Sequence, residues 1–224
     1  MITCIIPARS GSKRIKNKNI KKFFGKPLIY YSIKLALKNK KFNKVIVSTD
    51  SKKIARIAKK LGASVPFLRS KKNSLDKTPI IDVLKEVIQK SKIKDSFVCC
   101  LYPTAPLLKE KDLKKGLKMM SNKYDQIIAI SEFASPTQRA FKKHGKSFIK
   151  FINPKYKFRR SQDLKKTFFD TGTFAIYKNN IILKYKKIKN PKIGFVEIDR
   201  YSAVDINNNK DFKFAKFLFG VKKN

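Results

Sequence analysis

The stretch MITCIIPARSGSKRIKNKN (residues 1–19) joins an uninterrupted apolar run to a loop of small and basic residues. Its first six residues are typical of a strand that is buried on both faces of a sheet. Residues 7–19 contain five cations, a small excess over the chain average of 55 Lys and Arg among 224 residues. The loop is therefore either the solvated surface of a very basic protein or a cradle for a ligand with several negative charges.

Strand-like runs alternate with amphipathic helical runs through the first 133 residues. The strands are predicted at 1–6, 44–50, 63–68, 95–103 and 124–133, and the helices at 26–40, 51–62, 76–91 and 109–121. Alternation at this spacing produces parallel β-α-β units and an open sheet covered by helices.

The alternation stops near residue 133 and returns later in the chain. Residues 134–168 are irregular and rich in aromatic residues and lysine. Two further strands, at 167–177 and 193–199, and a helix at 209–219 follow. We therefore expect an α/β fold with a single domain over residues 1–224. Its sheet is open and mostly parallel with helices on both faces, and residues 134–168 form a small inserted subdomain.

The charge balance is extreme, with 55 Lys and Arg against 15 Asp and Glu and a net charge of +40. Such a field attracts polyanions, including nucleic acids, membrane surfaces and phosphorylated small molecules. The cations recur from end to end, which is typical of a solvated surface. A nucleic-acid-binding protein is one alternative, although the chain lacks RRM, KH and helix-turn-helix signatures. We expect no nucleic-acid partner.

The three cysteines, Cys4, Cys99 and Cys100, lie in apolar runs. Their spacing matches neither a disulfide framework nor a zinc site. No apolar stretch approaches the length needed to span a bilayer, and the N-terminal run is too short for a signal peptide. These features predict reduced, buried thiols in a cytoplasmic protein without a membrane partner.

The basic loop of residues 7–19 directly follows the first predicted strand. Ligands of open α/β sheets bind beyond the carboxyl ends of the strands, which raises the interest of this loop. Small residues at 10–12 would let backbone N–H groups approach a phosphate. The cations that would neutralise it flank them: Arg9, Lys13, Arg14 and Lys18. Neither a complete Walker A motif nor Gly-x-Gly-x-x-Gly is present. The residues alone therefore leave a phosphate cradle and a basic surface loop as alternatives.

Several motifs, in order along nearly the whole chain, resemble those of one enzyme family. They are IIPARSGSKRIKNKNI (5–20), GKPLI (25–29), VIVSTD (45–50), GASVPFLR (62–69), LYPTAPLL (101–108) and AVDINNNKDF (203–212). The family is that of the CMP-sialate synthetases, cytidylyltransferases that activate nine-carbon acidic sugars. SPTQRAF (135–141) and RRSQDL (159–164) look most like its pseudaminic acid branch.

The resemblance implies that a sugar acid and CTP react to give a CMP-sugar and pyrophosphate. Such chemistry needs in-line positioning and neutralisation of charge. The implied catalytic residues are Arg9, Lys18 and Asp205. The implied nucleotide-binding residues are Ala8, Arg9, Ser10, Gly11, Ser12, Lys18, Asn19, Arg69, Ser74, Asp76 and Thr104. For Asp76, a helix N-cap is an equal alternative.

The resemblance also implies a metal, a sugar site and a dimer. The family carries an Asp-x-Asp pair for Mg²⁺, and here the positions hold Asp205 and Asn207, which predicts weaker metal binding. The implied sugar-binding residues are Gln138, Arg139, Arg160, Gln162 and Asp170, where an Arg suits a carboxylate. The resemblance further implies that the insert forms a homodimer contact and approaches the neighbouring active site. Its aromatic residues are interpreted as core or dimer packing.

The identity of the sugar is less sharply predicted than the reaction. Thr104 and Ala105 replace an acidic metal ligand of the related enzymes that use the eight-carbon sugar Kdo, which argues against Kdo. Thr173 stands where the pseudaminic branch tends to have Gln. N-acetylneuraminate and legionaminate therefore remain alternative substrates, and Asn207 leaves open a paralogue that binds nucleotide without transfer.

Overall fold

The computed structural model describes residues 1–221, which contain ten strands and six α-helices. The strands are β1 (Ile2–Pro7), β2 (Lys22–Phe23), β3 (Lys26–Pro27), β4 (Phe42–Ser48), β5 (Phe97–Leu101), β6 (Gln126–Glu132), β7 (Phe141–His144), β8 (Phe148–Phe151), β9 (Phe168–Lys178) and β10 (Ile193–Glu197). The helices are α1 (Ile29–Lys38), α2 (Lys52–Lys60), α3 (Ile80–Lys90), α4 (Glu110–Met119), α5 (Asn179–Lys184) and α6 (Asn209–Val221).

Six strands form the central sheet in the order β10-β6-β9-β5-β1-β4. β1 is parallel to both β4 and β5, and β10 is parallel to β6. β9 runs antiparallel to both of its neighbours, β5 and β6. The prediction of an open, mostly parallel sheet is confirmed, and the antiparallel strand is the feature that the sequence did not specify.

Helices cover both faces of the sheet, as the apolar runs of its strands require. Residues of α1, α2 and α4 pack on one face together with Cys4 and Cys99. Residues of α3 and α5 pack on the other face together with Cys100. The three thiols are free and buried, as predicted. Burial raises the pKa of Cys99 and of Cys100, so both thiols remain neutral.

A third apolar cluster lies beside the first loop. It joins Ile15 of that loop to Phe23 of β2, to Ile206, and to Phe212 of α6. Phe23 is fully buried, and its ring contacts the ring of Phe212 edge-on at a centroid distance of 5.7 Å. Truncating such a side chain to Ala typically costs about 3–5 kcal/mol. The cluster therefore fixes the basic loop against residues 205–207, which are far away in sequence.

The first helix begins later than predicted, at Ile29 rather than at residue 26. Lys26 and Pro27 instead pair with β2 in a short antiparallel hairpin. Its two central residues, Phe24 and Gly25, have φ values of 44° and 74°. Two consecutive positive φ values are those of the turn that best matches the twist of paired strands, so the local hairpin wins over the helical pattern.

The helix predicted over residues 76–91 begins at Ile80. Pro79 is its N-cap residue and has an extended backbone. A proline also disfavours helical geometry in the residue before it, here Thr78, so the helix does not begin earlier. Asp76 therefore cannot be an N-cap, and that alternative is wrong. The predicted strand at 63–68 is also wrong: it is reduced to single bridges at Ser64 and Leu68. Pro66, between them, has no N–H group for a strand ladder.

Residues 134–168 leave the sheet at the end of β6 and return at the start of β9. They contain the separate β7–β8 hairpin and short 3₁₀ turns. Two of their aromatic side chains are conspicuously exposed, Phe148 at 73% and Phe158 at 90%. These two residues are therefore not packed in the core of the single chain, and the alternative of dimer packing stays a prediction. Over residues 1–221, no helix combines the length and the apolar character needed to cross a membrane.

Candidate active site

A cavity of about 270 Å³ lies at the end of the sheet where β1 and β5 terminate. Its lining comes from the first loop, from residues 69–83, from the loop after β5, and from residues 205–207. The sequence-predicted residues that line it are Arg9, Ser12, Lys18, Asn19, Arg69, Asp76, Thr104, Asp205 and Asn207. Residues that are up to about 200 positions apart thus meet where parallel strands are expected to bind ligands.

A second cavity of about 310 Å³ adjoins the first. The residues that line both cavities are Arg9, Ser12, Lys18, Asp76 and Asn207. The second cavity adds Lys13 and Arg14 to its wall. Cations therefore outnumber carboxylates around it, which suits a polyphosphate.

The first loop is held in place by the carboxyl end of β4 and the residues that follow it. Ala8, which is fully buried, donates its N–H to the carbonyl of Ser48 at 2.8 Å. Ser10 donates its N–H and its hydroxyl to the two carboxylate oxygens of Asp50, both at 2.7 Å. Ser12 donates its N–H to the Ser10 carbonyl at 2.8 Å. These donors shape the loop, so they are occupied in this structure rather than directed at a ligand.

Arg9 and Lys13 share one counter-ion, the carboxylate of Asp76. Arg9 Nη1 contacts Asp76 Oδ1, and Lys13 Nζ lies 2.6 Å from Asp76 Oδ2. Hydrogen bonds from Lys13 and then Arg9 lower the pKa of Asp76, which keeps it ionised at neutral pH. Asp76 thus joins the first loop to the segment before α3.

Lys18 and Asn19 form the inner wall of the cleft. Lys18 Nζ donates to the carbonyl of Ile206 at 2.6 Å, and burial lowers the pKa of this ammonium group. Asn19 is 4% exposed and donates its Nδ2 to the Arg9 carbonyl at 2.9 Å. Its Oδ1 is buried without a hydrogen-bond partner among the described residues. A buried acceptor in this state is costly unless a ligand or water satisfies it.

Arg69 is a buried cation that lines the first cavity. The resemblance predicts that it faces the nucleoside. It is 7% exposed, and it donates its Nε to Ser48 Oγ at 3.0 Å and its Nη2 to the Ser48 carbonyl. Burial lowers its pKa to about 10, so it remains charged at neutral pH. Ser48 therefore fixes both the first loop and Arg69.

Asp205 and Asn207 face each other, with Asn207 Nδ2 donating to Asp205 Oδ2 at 2.8 Å. Asn207 Oδ1 accepts from Arg14 Nη2 at 2.9 Å. Gly172 of β9 lies beside this carboxylate, and a Cβ on it would be in ordinary van der Waals contact with Asp205 Oδ2, at 3.5 Å. The position favours glycine because of its φ of +58°, which other residues rarely adopt.

This pair could hold a divalent cation only through mixed ligands. Among residues 1–221, no group of three His, Cys, Asp or Glu side chains forms a metal cage. Asp205 offers a carboxylate oxygen, whereas the amide oxygen of Asn207 would have to leave Arg14 first. Mg²⁺ commonly takes one or two protein ligands and completes its shell with phosphate oxygens and water. The residues fit such a site, with Asp205 as its principal ligand.

Some of the predicted residues do not line either cavity. Ala8, Ser10, Gly11 and Ser74 line neither one. Ser74 contributes its carbonyl to Arg9, at 3.5 Å. The sugar-binding candidates Gln138, Arg139, Arg160, Gln162 and Asp170 also line neither cavity.

Three of those sugar-binding candidates, Gln138, Arg139 and Arg160, make contacts within residues 134–168 of the single chain. Gln138 Nε2 donates to the Lys165 carbonyl at 2.7 Å, and Arg139 donates to Ser161 Oγ at 3.2 Å. Arg160 pairs with Asp163 at 2.8 Å. Asp170 is exposed on β9 and accepts from the Gly172 N–H at 2.9 Å. Gln162 is exposed in the insert. Their predicted role in sugar binding stays a prediction.

The sequence did not single out several residues of the site. Asp50 holds Ser10, and Asn73, Leu75, Thr78, Ile80 and Val83 complete the wall of the first cavity. All except Ile80 and Val83 lie in segments that directly follow predicted strands. The rule on strand ends could therefore have found them, but their residue types carry no chemical signature.

Comparison with known proteins agrees with this geometry. A family model described as cytidylyltransferase matches residues 3–212. The chain belongs to the cytidylyltransferase family. The resemblance noted from the motifs is confirmed, and the chain is an enzyme of the nucleotidyltransferase class.

Individual relatives of this cytidylyltransferase are similar to it along nearly the full chain. The chain is 39% identical over 222 residues to the pseudaminic acid cytidylyltransferase of Campylobacter jejuni serotype O:2, covering 97% of this chain and 96% of the relative. It is 30% identical over 229 residues to the CMP-N,N'-diacetyllegionaminic acid synthase of the same organism, covering 99% and 96%.

The fold is also that of solved nucleotidyltransferases. A CMP:2-keto-3-deoxy-manno-octonic acid synthetase structure, complexed with CTP, superposes with a TM-score of 0.75 at 15% identity and covers 99% of both chains. A cytidylyltransferase from Leptospira borgpetersenii gives a TM-score of 0.64 at 17% identity, covering 99% of this chain and 93% of the other. At these identities the likeness shows the fold alone.

Proposed function

We propose that this enzyme transfers the cytidylyl group of CTP to pseudaminic acid, giving CMP-pseudaminic acid and pyrophosphate. The observation that carries the proposal is the cleft in which Arg9, Lys18 and Asp205 meet although they are remote in sequence. The choice of sugar is supported by the 39% identity to a pseudaminic acid cytidylyltransferase along nearly the full chain. CMP-legionaminate synthesis is the second candidate, because a legionaminate enzyme is also similar over the full length.

The triphosphate binds in the second cavity and the nucleoside in the first. Arg9, Lys13 and Lys18 neutralise phosphate charge as it moves to the leaving group, which is the principal need of this reaction. The buried Oδ1 of Asn19 supports the nucleoside assignment, since it lacks a donor that a hydroxyl or amino group would supply. Thr104, only 8% exposed, completes this wall.

The anomeric hydroxyl oxygen of the sugar attacks the α-phosphorus of CTP. The new O–P bond forms as the bond to the bridging oxygen breaks, and pyrophosphate leaves with that electron pair. The hydroxyl proton passes to solvent. The chain contributes by aligning the two substrates, which is worth several orders of magnitude in rate.

Mg²⁺ is the proposed cofactor, with Asp205 as its ligand and Asn207 as a weaker second one. The metal supplies Lewis-acid neutralisation of phosphate oxygens when it is bound. Arg14, held 2.9 Å from Asn207 Oδ1, adds positive charge at the same place. Arg14 therefore supplies part of the positive charge that a metal ion held by two carboxylates would otherwise supply.

We propose a homodimer formed through the insert. The exposed apolar side chains there include Phe141, Phe148, Ile149, Ile152 and Phe158. Exposed apolar patches of this kind mark protein interfaces. The proposed sugar residues Arg139 and Arg160 lie on the same insert, so they would face the neighbouring active site. We place the reaction in the cytoplasm, where the three free thiols stay reduced.

A pyrophosphate-release assay with CTP, Mg²⁺ and pseudaminic, legionaminic and neuraminic acids tests the function. The expected result is the highest kcat/KM with pseudaminic acid. A preference for another of these acids would replace the sugar and keep the reaction. No turnover with any acid, despite measurable CTP binding, would favour the paralogue that binds without transfer. Retention on nucleic acid at physiological salt without CTP turnover would contradict the proposal altogether.

A further inference from the structure

Asp76 is a carboxylate placed among the cations of a proposed phosphate site. Each of its two oxygens contacts a different cation, Oδ1 that of Arg9 and Oδ2 that of Lys13 at 2.6 Å. Asp76 lines both cavities, as does Arg9. The arrangement is that of a bound phosphate group, with two oxygens on two cations.

Two other cations of the loop, Lys18 and Arg14, donate hydrogen bonds to neutral groups. Lys18 donates to the carbonyl of Ile206 and Arg14 to the amide oxygen of Asn207. Neutral acceptors leave the charge of a cation available to an incoming anion, whereas Asp76 cancels charge directly. Among the ion pairs of the described residues, those of Asp76 are the two that involve this loop.

The segment that carries Asp76 also forms the opposite wall of the first cavity. Asn73, Leu75 and Thr78 line that cavity, and Ser74 offers its carbonyl to Arg9. Between the 3₁₀ turn at Lys72–Ser74 and α3 the segment has no regular structure. Release of Asp76 would therefore change the constraint on the nucleoside side of the cleft.

We propose that the Asp76 carboxylate and a polyphosphate compete for Arg9 and Lys13, and that a bound polyphosphate displaces Asp76 from both cations. A polyphosphate carries several negative charges against one on the carboxylate, so it competes successfully for both cations. Breaking the two ion pairs lowers the net affinity for any polyphosphate. The inference rests on the proposed function, because it needs the triphosphate to bind at this loop.

Calorimetric titration with inorganic pyrophosphate, at low ionic strength and without divalent metal, tests this inference. Asp76→Asn removes the charge with little change in shape. Exposed ion pairs contribute modestly, so we expect pyrophosphate to bind the variant about threefold to tenfold more tightly than wild type. The difference should shrink as salt is added.

Asp82→Asn provides the matched control. It makes the same charge change six residues further on, and Asp82 lines neither cavity. We expect its pyrophosphate affinity to equal that of wild type. Equal or weaker binding by Asp76→Asn, with wild type binding normally, would overturn the inference alone. Absence of pyrophosphate and CTP binding by wild type would overturn the proposed function as well.

A structure of the wild-type enzyme with pyrophosphate tests the displacement without any substitution. It also decides the question if Asp76→Asn fails to fold, which its thermal melting curve would show. We expect phosphate oxygens on Arg9 and Lys13 and a carboxylate of Asp76 that contacts neither cation. Pyrophosphate bound elsewhere, or beside an intact Arg9–Asp76 pair, would overturn the inference.

Discussion

Asp50 receives both hydrogen-bond donors of Ser10, the backbone N–H and the hydroxyl, at 2.7 Å each. The carboxylate lies just beyond β4 and the serine just beyond β1, so the contact fixes the basic loop to the neighbouring strand. Asp50 does not touch the proposed ligand site. It is a positioning residue for the loop that carries Arg9 and Lys18.

Replacing Asp50 by Ala should therefore impair CTP use more than folding. Two charge-assisted hydrogen bonds are lost, and we expect kcat/KM for CTP to fall about tenfold or more. Most of the change should appear in the KM for CTP, with the KM for the sugar unchanged. Ser10→Ala, which keeps the N–H bond, should fall between wild type and Asp50→Ala. A uniform loss that follows only the melting temperature would show a purely structural role.

Asp205→Ala should reduce kcat/KM to about a hundredth of wild type or less, because it removes the only carboxylate of the proposed metal pair. Asp199→Ala is the matched control. Asp199 lies in a turn, where it accepts from the Tyr201 N–H at 2.8 Å, and it lines neither cavity of the proposed active site. Near-normal activity of Asp205→Ala in the pyrophosphate assay would refute its assignment.

Asn207→Asp should improve activity at low Mg²⁺ and reduce stability without metal. The new carboxylate would face Asp205, now 2.8 Å from the Asn207 amide nitrogen, and like charges at that distance repel. Metal that binds only the folded state offsets this cost by mass action. The melting temperature across a Mg²⁺ series measures the destabilisation without metal and its relief by metal, and the pyrophosphate assay at low Mg²⁺ measures activity. A variant whose melting temperature does not change with Mg²⁺ would contradict the metal assignment.

CTP binding should weaken at alkaline pH earlier than an ordinary lysine would cause. Burial lowers the pKa of Lys18 below 10.5, so its charge is lost sooner. In that pH interval the unfolded chain binds more protons than the folded one, so the free energy of unfolding contributed by Lys18 rises with pH. Lys18→Arg, which stays protonated, should remove the alkaline loss of affinity. An unchanged pH profile of CTP binding in this variant would show that another group titrates.

Phe158→Asp should convert the proposed dimer to a monomer without lowering monomer stability, because this side chain is 90% exposed in the single chain. Size-exclusion chromatography with light scattering measures the change. Phe214→Asp makes the same substitution on α6, where Phe214 is 48% exposed, and should leave the oligomer intact. A wild-type monomer at assay concentrations would contradict the proposed dimer.

Hydrophobic periodicity predicted most of the strands and helices, because the spacing of apolar residues in most runs matches the element that the run forms. Where this periodicity failed, a single backbone feature outweighed the pattern. The hairpin at Phe24–Gly25 displaced the first turn of a helix, and Pro79 delayed another. Pro66 removed an expected strand. The reversed direction of β9 depends on the insert that precedes it, which has no periodic signal.

The predicted site divides in a similar way. Arg9, Lys18 and Asp205 share one cavity because charged and small residues follow strands that end at the same edge. Asp76 was predicted as a contact of the nucleotide or as a helix cap. It is not a helix cap, and its pairing with Arg9 and Lys13 was not predicted. Such a pairing depends on where two loops come to rest in space, and local sequence does not encode it.

Because β9 runs against its neighbours, the segment 133–167 starts and ends at adjacent points: Glu132 of β6 pairs with Phe168 of β9. This segment can be replaced without changing the register of the sheet, because both of its ends are fixed in paired strands. Exchange of this one segment would therefore test the proposed sugar role of the insert, because it would leave the first loop and residues 205–207 unchanged.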